Sequence, residues 1–569
     1  MAKPVIYQLI PRLFTNYCDR CTPAGTLAQN GSGKLNDITP RILKAIRQLG
    51  TTHVWYTGVI EHAHCPDYSA YGITPHNPHI VKGQAGSPYA ITDYYDIDPD
   101  IARDIPNRIA EFEDLVQRTH RCGMKVIIDF VPNHVARQYH SDARPADAPD
   151  DLGADDDTTR FFAHNNNFYY IPRQLFAPSV DLGTGRDAYV EFPARATGND
   201  CFTAFPGVND WYETVKLNYG IDYGDHTRHF TPIPDTWMKM LHILLYWAAK
   251  GVDGFRCDMA HMVPLEFWQW AIKMVRSQYP HIIFIAEIYD VALYHPYINI
   301  GGFDYLYDKV NLYDTLRDIQ TANHSAARIT DCWQRLGDTA PHMLNFLENH
   351  DEQRFASTFY AGNPHLVTPS LVVSATLGTG AMMIYAGQEL GEPAADAEGF
   401  SGLDGRTTIF DYWSIPTIRQ WLNHGQPALK NLTPEQRQLR DTYTRILSLC
   451  NTEPAIAQGL FFDLMYVNYT SPGFNPHRHY TYLRHHQDHT LLIAVNFDSV
   501  PAQTQITIPE HAFEYLGITP GRYHAAELLA DTTDAFTLSP DGSIPVTIPA
   551  HGAVIWKLTQ DSTTTPTDK

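Results

Sequence analysis

The stretch Gly254-Phe255-Arg256-Cys257-Asp258 reads as a short buried strand that ends in charge. Side chains alternate along a strand, so Arg256 and Asp258, two residues apart, share one face. At the strand's end both would point into one pocket. A fixed cation at that distance lowers a carboxyl pKa and keeps Asp258 ionised. An ionised carboxylate aimed at a ligand can act as a nucleophile. Taken alone, the pair reads as a structural ion pair. What decides between the two readings is where the strand sits and what the neighbouring strand ends carry.

Working outward, the first three-quarters of the chain alternates short apolar runs with helical patterns, the signature of parallel βα units. Eight strands are expected, at Val5–Ile10, His53–Tyr56, Lys125–Phe130, Gly254–Cys257, Ile282–Ala286, Phe303–Leu306, His342–Phe346 and Ala381–Tyr385. Helical patterns intervene at Pro106–Arg121, Thr236–Ala249, Pro264–Ser277, Ala326–Leu336 and Pro369–Leu377. The expected fold class is α/β, a closed (β/α)8 TIM barrel, built from residues 1–134 and 231–450. Residues 135–230 are rich in Asp, Asn, Pro, Gly and aromatics, with an acidic turn-rich piece at Asp147–Asp157. A connection that long reads as an inserted B subdomain after the third strand. After a helix around Pro434–Leu449, residues 451–558 show β-rich runs at Leu491–Asn496, Gln503–Ile508, Pro545–Ile548 and Ala553–Leu558. Asp541-Gly542 is a hairpin signal. This end is expected to be an antiparallel β-sandwich, followed by a flexible Thr-rich tail at 559–569.

The bulk numbers set limits. A chain of 569 residues exceeds one hydrophobic core, since domains run to ~100–200 residues. Apolar content of 44% with 18% charged residues fits a folded protein. The net charge of −21 argues against nucleic acid and anionic membrane surfaces, both of which would repel it. The 33 Tyr and 10 Trp would fill the core and leave some rings to stack on apolar ligand faces. No signal-like segment and no stretch of ~20 apolar residues is present. A cytoplasmic protein is the expectation. The eight cysteines are scattered, as in a reduced intracellular chain. Cys18 and Cys21 have CxxC spacing, with His62, His64 and Cys65 further on; without a second matching pair this is a weak zinc signal.

Four strand ends carry polar residues of one kind. The third continues as Asp129-Phe130-Val131-Pro132-Asn133-His134, the fourth carries Arg256, Asp258 and His261, the fifth Glu287, and the seventh Glu348-Asn349-His350-Asp351. All should emerge on the barrel's C-terminal face, where such barrels keep their active sites. Converging carboxylates repel one another, so their pKa values separate and one stays protonated. Arg256 should keep Asp258 ionised. Glu287, with no cation adjacent in sequence, is the better candidate for the protonated acid. An acid facing a nucleophilic carboxylate suits retaining glycoside chemistry. Asp351 would be the third member, and His134 and His350 would donate hydrogen bonds to sugar hydroxyls.

These segments, in this order and spacing, resemble the four short sequence regions of the α-amylase family of glycoside hydrolases. Ser87-Pro88-Tyr89 resembles the segment whose tyrosine stacks on the sugar being cleaved. The resemblance implies that Asp258 is the nucleophile, Glu287 the general acid/base and Asp351 the transition-state stabiliser. It also implies that Tyr89, His134, Arg256 and His350 bind the cleaved sugar. It implies retaining cleavage of α-1,4-glucosidic bonds in starch- or glycogen-like glucans or maltooligosaccharides. The same covalent intermediate serves a transglycosylase that moves glucosyl or maltosyl units to a sugar or phosphate acceptor. A non-catalytic carbohydrate-binding protein is a third reading, disfavoured because all three carboxylates are present.

Two positions depart from the family pattern. After Asp258 the family usually has Lys-His, where this chain has His261-Met262; His261 can still hydrogen-bond a sugar and is expected to bind substrate on the acceptor side, with less charge than a lysine. In Val215-Lys216-Leu217-Asn218, Lys216 stands where many relatives have an Asp that helps bind a structural calcium with the counterpart of Asn133. An ammonium cannot ligate a cation, so that shared calcium is expected to be absent, with Lys216 as a fixed charge in its place. Acidic loops elsewhere could still bind calcium; no catalytic metal or other cofactor is implied. The Lys form resembles the neopullulanase-type branch. Nothing in the sequence sets the oligomeric state.

Overall fold

A computed structural model describes residues 3–321 and 323–561. Eight parallel strands close into a barrel: β1 (Val5–Leu9), β2 (His53–Tyr56), β3 (Lys125–Phe130), β4 (Gly254–Cys257), β5 (Ile283–Ala286), β6 (Tyr305–Tyr307), β7 (Met343–Asn345) and β8 (Ala381–Tyr385). Each pairs with the next in sequence, and β8 closes on β1 through Val5↔Met382. The sixth strand starts later than Phe303. The preceding turn leaves the left-handed Gly302 (φ 87°), and the Asp304 carboxylate caps the Phe284 N–H before pairing begins at Tyr305.

The strand alternation builds two cores. Inward residues Ile6, Trp55, Ile127, Ile285, Tyr307, Leu344 and Met383 fill the barrel. Outward residues such as Val126, Ile128, Phe255, Phe284 and Ile384 pack under the helices. Those helices include α1 (Pro40–Arg47), α2 (Arg108–Arg121), α3 (Asp235–Ala249), α4 (Leu265–Gln278), α5 (Asp314–Thr321), α6 (Arg328–Leu336) and α7 (Thr368–Thr376). α1 and α5, each eight residues long, are not among the helical patterns named from the sequence. Between β5 and β6 the chain makes only short helical turns over Val291–Gly301. Arg256 faces inward in register with Asp129 and Ile285, so the charged layer lies directly above the apolar plug.

The insertion after β3 is held by two-stranded ribbons. One pairs His134–Ala136 with Thr214–Lys216 and sets His134 opposite Lys216. The others pair Tyr170–Ile171 with Ala194–Arg195 and Ile221–Asp222 with Thr227–Arg228. A further ribbon, Ile60–His62 with Ile91–Ile97, follows β2 on the same rim.

α8 (Pro434–Thr452), capped by Thr433, leads to the C-terminal domain. There a six-stranded antiparallel sheet runs Leu460–Asp463, His479–His486, His489–Asn496, Gly552–Gln560, Gly521–Glu527, Thr532–Leu538. A two-stranded ribbon, Ala502–Ile508 with Gly542–Ile548, shares its core. The turn at Asp541-Gly542 exists, but it is not a hairpin. The strands it joins belong to different sheets, because Thr532–Leu538 pairs with Gly521–Glu527 instead. The last strand runs through Thr559 and Gln560, two residues into the expected tail; 562–569 lie outside the described residues.

One glycine fixes the loop that carries Tyr89. Gly86 has φ +74°, and a Cβ there would sit 1.5 Å from the Ala63 carbonyl oxygen. Gly86→Ala is expected to cost about 2 kcal/mol or more, read as a lower denaturation midpoint. An unchanged midpoint would contradict this placement.

Candidate active site

The barrel's C-terminal rim opens into a cavity of about 310 Å³ lined by Tyr89, His134, Trp211, Asp258, Glu287 and Asp351, with Lys82, Glu213, Tyr289 and Phe410 among its other walls. The residues expected from the strand ends therefore meet in one place. Arg256 lies beneath them, fully buried. Its Nη1 donates to Asp258 Oδ1 at 2.7 Å and reaches Asp129 Oδ1 at 3.4 Å. Its Nε donates to the Tyr307 hydroxyl at 3.2 Å. The rings of Trp55, Tyr89 and Tyr307 surround it, at 5.2–5.5 Å from ring centroid to guanidinium.

The sequence placed no cation at Glu287, but the structure does. Arg256 Nη2 stands 2.8 Å from Glu287 Oε1. That nitrogen has no aligned hydrogen bond, so the contact is one of charge. Glu287 Oε1 accepts from the Tyr289 hydroxyl at 2.5 Å and Oε2 from the Met259 N–H at 2.8 Å.

Tyr89 stacks on His350, with ring centroids 5.3 Å apart and 25° between planes. Its hydroxyl meets His350 Nε2 at 2.5 Å and donates to Asp129 Oδ1 at 3.3 Å. His350 is buried behind Tyr89, anchored by Gln8 through Nδ1 at 2.7 Å and close to Asp351 at 3.1 Å. It and Arg256 thus act from below the cavity wall. His261 lies apart from this cavity. It lines a neighbouring groove of about 770 Å³ that shares Trp211 and Met259 with the cavity.

Lys216 is buried and sits among oxygens. Its Nζ donates to Asn133 Oδ1, to Asp200 Oδ1 at 2.6 Å and to the Met262 carbonyl at 3.2 Å. Asn133 in turn donates to the Gly198 carbonyl, tying β3's end to the insertion. The weak zinc set does not assemble. Cys18 contacts the Arg20 and Gln29 carbonyls, and His62 is held by Asp98 and Arg12.

A family profile described as "Alpha amylase, catalytic domain" matches residues 8–426. The chain belongs to the α-amylase family. It is 23% identical over 568 residues to an α-amylase of Streptomyces lividans, covering 92% of this chain and 56% of that one. It is 27% identical over 221 residues to an α-1,4-glucan:maltose-1-phosphate maltosyltransferase of Cereibacter sphaeroides, covering 35% of this chain and 32% of that one. The chain thus spans about half the length or less of these curated relatives. Among solved structures, an α-amylase from Geobacillus thermoleovorans complexed with acarbose superposes with a TM-score of 0.62 at 19% identity, covering 98% of this chain and 99% of that one.

Charge in this α-amylase-family pocket follows from burial and one guanidinium. Burial raises the Asp258 and Glu287 carboxyls, and Arg256 opposes it in both. Asp351 has no such direct cation. Burial first, then the charge of Glu287, pushes it up to about 8. Its neighbour His350 gives no help, because burial and Arg256 drive that imidazole well below its ordinary range and keep it neutral. Burial and the charge of Glu287 thus favour the protonated form of Asp351 in the unliganded pocket. His134 is likewise neutral, lowered to about 3 by burial and then by Lys216.

Several residues of the site escaped sequence reading. Asp129 was in a quoted motif without a role; it accepts from Trp55 Nε1 at 2.9 Å, and burial raises it to about 7. Tyr289 was detectable, two residues after Glu287 and so on its face. Gln8, Trp211, Lys82 and Phe410 arrive from distant segments and left no local signal.

Asp351 yields a pH prediction. Its folded pKa of about 8 exceeds the ordinary 3.8. Between those values the native state keeps a proton that the unfolded chain releases, so stability falls as pH rises. Asp351→Asn stays neutral throughout. Its Tm advantage over the wild type should widen from pH 4 to pH 8; a constant or shrinking gap would contradict the assignment.

Proposed function

We propose that this protein is a retaining glycoside hydrolase that cleaves α-1,4-glucosidic bonds in starch- or glycogen-like glucans or maltooligosaccharides. The observation that carries this is the convergence of Asp258, Glu287 and Asp351 on one cavity, over a guanidinium that touches the first two. Asp258 and Glu287 lie 2.7 and 2.8 Å from the two terminal nitrogens of one guanidinium, as suits the ~5–5.5 Å separation of retaining enzymes better than the ~6.5–9.5 Å of inverting ones.

The steps follow from these positions. Arg256 holds Asp258 Oδ1 and leaves Oδ2 free to attack the anomeric carbon. Glu287 gives its proton to the glycosidic oxygen as that bond breaks, and a glycosyl ester forms on Asp258. Glu287, now ionised, takes a proton from water, which attacks the anomeric carbon and frees Asp258. Substrate entry shifts the shared proton toward Glu287, because the three carboxyls titrate as a coupled set. Asp351, ionised once that proton has passed to Glu287, accepts hydrogen bonds from sugar hydroxyls, and Tyr89 offers its free ring face to the sugar. The negative charge of Asp258 and of ionised Asp351 beside the anomeric carbon favours the oxocarbenium-like transition state. A solved relative complexed with acarbose supports a glucan-like ligand for this fold.

We read Lys216 as the fixed charge that takes the place of a structural calcium at Asn133. A calcium found on Asn133 by anomalous scattering would contradict this.

A transglycosylase on the same scaffold is the second reading, favoured by the maltosyltransferase relative and by the groove at His261. Maltoheptaose incubated with and without maltose or phosphate separates the two. Hydrolysis predicts reducing sugar at an unchanged rate; longer products or a glycosyl phosphate would favour transfer. Asp258→Ala should lower kcat by about 10⁴-fold or more in a folded protein that still binds maltooligosaccharide. Turnover near the wild-type rate would sink the assignment.

A further inference from the structure

Outside the pocket, one buried acid lacks a partner. Glu61 lies on the Ile60–His62 strand and is 1% exposed. Its Oε1 accepts from Thr92 Oγ1 at 3.0 Å, and its Oε2 has no hydrogen-bond partner. An unpaired buried carboxylate oxygen is costly. Asp96, on the paired Ile91–Ile97 strand, and Asp142, at the root of the insertion, offer oxygens that lie with one of Glu61's within 4.8 Å of one another. Among the described residues no other three His, Cys, Asp or Glu side chains bring one ligand atom each within 4.8 Å of one another.

We propose that Glu61, Asp96 and Asp142 bind a hard divalent cation, calcium by its chemistry. The donors are all oxygens, with no imidazole or thiolate to favour zinc. Asp142 is exposed, which opens a path for the ion and for the waters that complete its six to eight ligands. Charge agrees as well. Asp96 shares the guanidinium of Arg108, so three carboxylates and one arginine leave a net of two negative charges for a dication. A further negative charge, Asp93, stands opposite Glu61 on the paired strand and is already satisfied by Ser141 Oγ at 2.6 Å and the Ala143 and Tyr95 N–H groups. Burial first, then Asp93, Asp96 and Asp142, raises the Glu61 carboxyl to about 9. Without a cation it would be relieved only by a proton, which is the competing account.

The site's place gives it a purpose. The Ile91–Ile97 strand follows directly on Tyr89, and Asp142 lies just beyond the ribbon that carries His134. Asp142 also accepts from Thr74 N at 2.9 Å and Thr74 Oγ1 at 3.2 Å. An ion here would tie the loops after β2 to the base of the insertion and hold two walls of the sugar cavity together. It lies away from the reacting carboxyls, so its loss should raise KM more than it lowers kcat.

The test uses the full chain, freed of metal with EDTA and titrated with calcium chloride by calorimetry, with Tm followed in parallel. The wild type should bind one calcium with a Kd below about 1 mM, within the range of oxygen-ligand sites, and gain Tm. Glu61→Gln and Asp142→Asn should each weaken binding by about 10-fold or more and lose the Tm gain. Glu61→Gln keeps the shape and removes the charge, and Asp142→Asn is an exposed change, so one folded variant suffices. The proposal is overturned if the metal-free wild type binds no calcium. It is also overturned if both variants bind with undiminished affinity. A Glu61→Gln protein with the wild type's Tm, in a wild type indifferent to calcium, would mean that Glu61 simply holds a proton.

Discussion

The buried guanidinium of Arg256 is the charge on which the rest of the site depends. It is fully enclosed, within ion-pair distance of Asp258, Glu287 and Asp129, and ringed by Trp55, Tyr89 and Tyr307. Taking any of these ions out of water is costly unless each meets an opposite charge, and breaking such a buried set typically costs about 3–5 kcal/mol. The planar fork matters, since it sets separate charged nitrogens beside Asp258 and Glu287 where a lysine offers one point charge. Asp351 makes no ion pair with the fork, and burial with the charge of Glu287 pushes it up to about 8.

The barrel makes this arrangement possible by register. β3, β4 and β5 bring Asp129, Arg256 and Ile285 level, and one step further up the same inward faces come Asp258 and Glu287. The apolar layer beneath excludes water and strengthens each charge contact above it. The loops then supply the walls. Gly86 lets the Tyr89 loop approach Ala63, and the ribbon pairing His134 with Lys216 closes the opposite side. Fold and chemistry thus meet at strand ends, where a rigid sheet hands a precise position to a polar side chain.

Much of this was legible in the sequence because barrel strands carry two signals at once, an apolar run and a polar residue at its end. That is why all eight strands, Asp258, Glu287, Asp351, His134 and Tyr89 could be named, and why the first three acids were expected to converge. What stayed hidden depends on side-chain reach or on distant segments. Arg256 extends to Glu287 on the next strand, which no local pattern records. The C-terminal strand Thr532–Leu538 buries only Phe536 and Leu538, too few to mark a strand. Its pairing with Gly521–Glu527 left no signal, and Asp541-Gly542 reads as a hairpin. Glu61 was hidden by its histidine and cysteine neighbours, which drew attention to zinc ligands while the relevant oxygens lay at Asp96 and Asp142.

The central claim is that Arg256 presents Asp258 as the nucleophile and leaves Glu287 to handle the proton. The most direct measurement is mass-spectrometric mapping of the enzyme after reaction with a fluorinated α-glucosyl fluoride, which forms the glycosyl ester faster than it hydrolyses. The account predicts one glycosyl adduct, on the peptide that contains Asp258. An adduct on Asp129, Glu287 or Asp351, or no adduct from an enzyme that turns over glucan, would contradict it.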